Sequence, residues 1–102
     1  MAAKFEQTRR FKGSKDKLFM NCKKALKVSG FNIKDEDEHE GMLKAKSGMN
    51  LRSWGEKIKI TISDEGDVTA KSECALPTQV TSWGKNEKNV NNFFSNLREI
   101  LD

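Results

Sequence analysis

No run of apolar residues in this 102-residue sequence approaches the length needed to cross a bilayer, and Met1-Ala2-Ala3-Lys4 lacks the apolar core of a secretion signal. Both absences lead to the expectation of a cytoplasmic chain without an integral membrane segment. There is one histidine and there are two cysteines. Cys22 and Cys74 show no CxxC spacing and no histidine pair stands near them, so two reduced, buried thiols are the simpler reading over a disulfide or a metal pair. There is no glycine-rich phosphate loop, because Gly41, Gly48, Gly55 and Gly66 are scattered as turn residues. Catalysis would need a nucleophile with a positioned base or a metal, and a lone His39 amid acids with no serine or cysteine motif offers neither. The chain is therefore expected to be non-catalytic and to need no cofactor.

What is present is charge. Charged residues make up 33% of the sequence and the hydrophobic class 35%, yet the apolar residues are strongly periodic, so a folded domain spanning residues 1–102 is expected rather than a disordered chain. The net charge of +4 is unevenly spread. Met1 to Lys34 carries ten basic residues against Glu6 and Asp16, a balance of +8, and the remainder holds nine against thirteen, a balance of −4.

Alternation and helical spacing divide the chain into seven elements. Phe5, Gln7, Arg9 and Phe11 share one side of a first strand. Gly13 breaks it, Ser14 caps a helix, and Gly30 stops that helix after a stripe of Leu18, Phe19, Cys22, Ala25 and Leu26. Phe31-Asn32-Ile33-Lys34 alternates and runs into Asp35-Glu36-Asp37-Glu38-His39-Glu40. Five carboxylates around the histidine lack both the glycine-turn ligand spacing of a calcium loop and the repeated His or Cys of a transition-metal site, so a solvated acidic hairpin is the plainer reading. Gly41 reopens a strand with Leu43 and Ala45 inward and Lys44 and Lys46 outward. Ile58, Ile60 and Ile62 then alternate with Lys57, Lys59 and Thr61, a β-branched strand buried on one face. Gly66 turns the chain into a strand whose inner residues, Val68, Ala70, Ser72, Cys74 and Leu76, are mostly small, as suits a helix crossing closely. Pro77 ends regular pairing. Asn86 is the expected cap of a last helix with Val90, Phe93, Phe94, Leu97, Ile100 and Leu101 on one face. That face and the isoleucine strand are expected to clasp each other. The fold class is thus α+β: one curved antiparallel sheet in β-α-β-β-β-β-α order, with both helices on one face.

That succession resembles the compact sheet-and-helix-grip folds, either the half-unit of the TATA-binding protein or a shortened relative of the Bet v 1 and START proteins. At motif level, Ser53-Trp54-Gly55-Glu56, Ser72, Pro77-Thr78-Gln79, Trp83-Gly84-Lys85-Asn86, Asn89-Val90 and Phe93-Phe94 resemble a pattern of small bacterial domains to which no activity is attached. The resemblance covers roughly the C-terminal half and implies a fold rather than a role.

Two binding readings follow. In the first, a partner segment or small apolar ligand lies between the C-terminal helix and the sheet, with Trp54, Trp83, Met49, Met42 and Phe93 lining the mouth of a cleft. The plainer alternative is that these residues fill the core. In the second, Arg9, Arg10, Lys12, Lys23, Lys24 and Lys27 form one basic patch that attracts nucleic acid or another anionic surface. Against it stand the lack of an exposed aromatic pair on the sheet and the acidic hairpin, which would repel the same ligand.

Overall fold

A computed structural model describes residues 4–47, 55–74 and 83–101; within these, the side chains of Cys74, Trp83 and Lys85 are left aside. The elements are β1 (Lys4–Arg10), α1 (Lys15–Val28), β2 (Asn32–Asp37), β3 (Met42–Lys46), β4 (Glu56–Ile62), β5 (Asp67–Cys74) and α2 (Trp83–Leu101). The five strands form one antiparallel sheet in the order β1-β5-β4-β3-β2. Both helices lie on one face and pack against each other. This is the α+β architecture and element order that the periodicities lead one to expect.

Local chemistry sets the ends of α1. The Ser14 hydroxyl accepts the Lys17 amide at 3.2 Å, and Asp16 stands in the positively polarised first turn. At the other end Gly30 takes φ +87°, Phe31 N–H reaches the Leu26 carbonyl and Gly30 N–H reaches that of Lys27. That pair of bonds closes the last turn with the left-handed residue only glycine adopts cheaply. Gly66 is tied more tightly. At φ +94°, its carbonyl accepts Phe11 N–H at 2.9 Å, and a Cβ built there would collide with the Phe11 carbonyl oxygen. The β4–β5 turn thus also fixes the exit of β1.

The core lies between the sheet and the helix pair. Leu18, Phe19, Cys22, Ala25 and Leu26 of α1 meet Leu43, Ala45, Ile58, Ile60, Ile62, Val68 and Ala70 of the sheet and Val90, Phe93, Phe94 and Leu97 of α2. Phe93 and Phe94 meet edge to face at 5.3 Å, and Phe11 stacks on Phe94 at 6.2 Å. The isoleucines and the phenylalanines share this core, but the division of labour differs from a simple clasp. Helix α2 lies over β1 and β5, and α1 covers β2, β3 and β4. The small Ala70 and Ser72 of β5 are what let α2 approach. Asn96 of α2 donates to the Ser29 hydroxyl at 2.8 Å, which ties the two helices at the end of α1.

Helix α2 begins at Trp83, three residues before the expected cap. Asn86 is not a cap but a fully buried helical residue.

Candidate functional site

The helices cover one face of the sheet, and the opposite face is left to solvent among the described residues. Alternation about the buried isoleucines turns Lys57, Lys59 and Thr61 of β4 to that face. The same rule puts Lys44 and Lys46 of β3, Thr69, Lys71 and Glu73 of β5, and Lys4, Glu6, Thr8 and Arg10 of β1 on it. Lys34 joins them from an irregularity in β2, where the register slips between Ile33 and Asp35.

Register then arranges these residues into rows across the strands. One row, read from β2 to β1, is Asp35, Lys44, Lys59, Lys71, Glu6. The next is Asn32, Lys46, Lys57, Glu73, Lys4. The row on the other side is Asp37, Met42, Thr61, Thr69, Thr8, with the Thr8 and Thr69 hydroxyls 2.8 Å apart. Lys34, Lys44, Lys46, Lys57, Lys59 and Lys71, together with Glu73, border a depression of about 480 Å³ on this face. None of these six lysines forms an ion pair with another described residue.

Three lysines directly opposite one another across three strands repel. Like charges at such positions destabilise a sheet by roughly 0.2–1 kcal/mol per pair. A strip of this kind is a local electrostatic cost that an anion placed over it would relieve.

The basic residues expected to form one patch do not assemble. Arg9 and Arg10 project from opposite faces of β1. The Arg9 guanidinium lies 4.9 Å above the Phe94 ring and its Nη2 donates to Gln7 Oε1 at 3.4 Å. Arg10 clamps Asp67 with Nε and Nη2 at 2.9 and 3.3 Å. That hydrogen-bonded pair raises the Arg10 pKa above its ordinary value and holds the Asp67 carboxyl below its own. Lys23 donates to Glu36 at 3.0 Å, so this cation is neutralised by the acidic hairpin. Lys12, Lys24 and Lys27 are exposed, the last two on the helix layer and so on the far side of the sheet from Arg10.

The proposed apolar mouth is likewise not one site among the described residues. Phe93 is fully buried in the core, whereas Met42 is half-buried on the opposite, lysine-bearing face, because Leu43 next to it takes the inward position. Trp54 and Met49 lie outside the described residues, and Trp83 is placed only as the first residue of α2. His39 is exposed at the tip of the β2–β3 hairpin, where its carbonyl accepts the Lys15 ammonium at 3.1 Å. No group of His, Cys, Asp and Glu among the described residues is arranged to hold a metal. Cys22 is a core thiol, its pKa pushed up to about 12 by burial.

A second cluster went unrecognised in the sequence. Ser47, Glu56, Ser72, Asn86 and Asn89 are buried together where β3, β4 and β5 meet the start of α2. Glu56 Oε1 accepts the Ser47 hydroxyl at 2.8 Å and the Asn89 amide at 3.0 Å. Asn89 Nδ2 also reaches the Ser72 hydroxyl at 3.3 Å, which in turn donates to Asn86 Oδ1 at 2.9 Å. Glu56 N–H donates to the Ser47 hydroxyl at 2.8 Å. Four of these five residues, all but Ser47, belong to the residue pattern quoted above, and their convergence anchors α2 to the sheet. The sequence signal was polar residues at inward positions. Glu56 falls in register with Ile58, and Asn86 and Asn89 lead the stripe of Val90, Phe93 and Leu97 at helical spacing.

No described helix is long and apolar enough to cross a membrane. No model of a known protein family matches the chain, and no curated protein matches it.

Proposed function

We propose that this domain is a non-catalytic binding module that takes the phosphate backbone of a nucleic acid on the uncovered face of its sheet. The observation that carries this reading is the lysine row Lys44–Lys59–Lys71, extended by Lys34, Lys46 and Lys57, none of which forms an ion pair among the described residues, with Asp35, Glu6 and Glu73 as its cross-strand acidic neighbours. Lysine is a compact point charge rather than a bidentate fork, so such a strip attracts phosphates without reading base edges. Binding of this kind is independent of sequence and strongly dependent on salt. The burial of Phe93 and Phe94 supports a filled interior in preference to an apolar cleft beneath α2.

The test compares two variants of equal net charge. Lys44→Gln, Lys59→Gln and Lys71→Gln together empty the row; Lys17→Gln, Lys24→Gln and Lys27→Gln together remove as much charge from α1. At low salt the wild type and the helix variant are retained on a DNA column, and the sheet variant elutes early. No retention of the wild type, or equal loss in both variants, overturns the reading.

A further inference from the structure

We infer that the strip holds a single strand of nucleic acid by its phosphates alone and binds it in preference to a duplex. This inference rests on the reading above and adds the form of the partner. Its basis is the sign pattern of the central row. Asp35 stands on one side of Lys44, Lys59 and Lys71, and Glu6 stands on the other. Neighbouring strands lie about 4.8 Å apart, so in this row the three lysines on β3, β4 and β5 span roughly 10 Å before a carboxylate stands on either side; Glu73 follows Lys71 on β5 in the next row.

One phosphate chain fits inside that width. It can follow β3 or β4, where successive outward lysines such as Lys57 and Lys59 are separated by about 6.8 Å along the strand. A duplex brings two phosphate rows to the surface, and across a major groove about 12 Å wide the second row reaches Asp35 or Glu6. The flanking carboxylates repel it there. In the row on the other side, Thr61, Thr69 and Thr8 are uncharged, and Asp37 stands at its β2 end.

Among the described residues the strip also has nothing on which a base could stack. Its described side chains are lysine, threonine and glutamate, with Met42 half-buried at one end. Single-strand binders that hold their bases do so on aromatic platforms. Here the phosphates must supply the affinity, and the bases point to solvent.

Fluorescence anisotropy of the whole chain with four probes tests this: a labelled oligothymidylate, an abasic phosphodiester oligomer of equal length, a duplex of equal length, and vesicles containing phosphatidylserine. We expect the oligothymidylate and the abasic oligomer to bind equally, with a log–log salt slope no steeper than about −4, the value for six neutralised phosphates on a single strand. The duplex binds about tenfold more weakly, and Glu6→Gln with Asp35→Asn closes that gap. A duplex that binds as tightly as the single strand refutes the inference and leaves nucleic-acid binding intact. A tenfold weaker abasic oligomer refutes recognition by phosphate alone. Binding to the vesicles with none to any of the three nucleic-acid probes overturns both this inference and the function on which it rests.

Discussion

Replacing Lys59 with glutamate should make the protein more stable while weakening its hold on nucleic acid. Lys59 sits directly between Lys44 on β3 and Lys71 on β5, so the substitution converts two like-charge pairs into two attractive ones. At directly opposed sheet positions each such change is worth a fraction of a kcal/mol, and solvent exposure keeps the total near about 1 kcal/mol. For a domain of this size about 1 kcal/mol corresponds to a rise in Tm of roughly 4–8 °C. Lys57→Glu is the internal control. Lys57 lies between Lys46 and Glu73, so the same substitution two residues away gains one attraction and creates one repulsion. Its expected shift is close to zero, with the same change in net charge. Thermal unfolding followed by circular dichroism at low salt checks both, and repetition in about 1 M salt, where charges interact over only about 3 Å, should erase the Lys59→Glu gain. A Tm that falls at low salt, or a rise equal in the two variants, would mean that the row does not store the repulsion assigned to it. The opposed movements of stability and binding are the signature of a site whose charges are arranged for a ligand rather than for the fold.

Two further outcomes are expected. Glu56→Ala leaves the buried Ser47 hydroxyl and Asn89 amide without the oxygen they share and opens a void, so urea unfolding should show a loss of about 3 kcal/mol or more, and Glu56→Gln, which keeps an acceptor, a clearly smaller one. The Arg10–Asp67 clamp should make stability acid-sensitive. Because the Asp67 pKa lies below the ordinary 3.8, its contribution is fully present above that value and is lost as pH falls through the lower folded-state pKa. The Tm difference between wild type and Asp67→Asn should therefore be constant above about pH 5 and shrink toward pH 3, and a difference that grows on acidification would contradict the clamp.

Where the sequence was legible, local chemistry decides the structure. The alternation of Ile58, Ile60 and Ile62, the cap at Ser14 and the stops at Gly30 and Gly66 each depend on a few adjacent residues, and each stands where expected. The candidate site depends on register, which is set by pairing between distant segments. Lys44, Lys59 and Lys71 each read separately as an ordinary water-facing residue, and only the alignment of β3, β4 and β5 makes them a row. The basic N-terminal third misled for the same reason: successive residues of a strand point to opposite faces, so Arg9 and Arg10 cannot share a patch. Asn86 misled because asparagine suits both a helix cap and a buried amide, and only the position of Ser72 and Glu56 decides between them.

The place of β1 in the sheet has a consequence for how the molecule assembles. Its partners run from Arg10 with Asp67 to Lys4 with Glu73, so the first strand of the chain must await the fifth, whereas β2 through β5 join their neighbours in sequence as a meander. Closing so long a loop carries an entropy cost that the hairpins avoid. All six lysines of the strip reside on the meander. Fraying of the amino-terminal edge would loosen the grip on α2 and remove Glu6 and Lys4 from the flank, yet leave all six lysines of the strip in place.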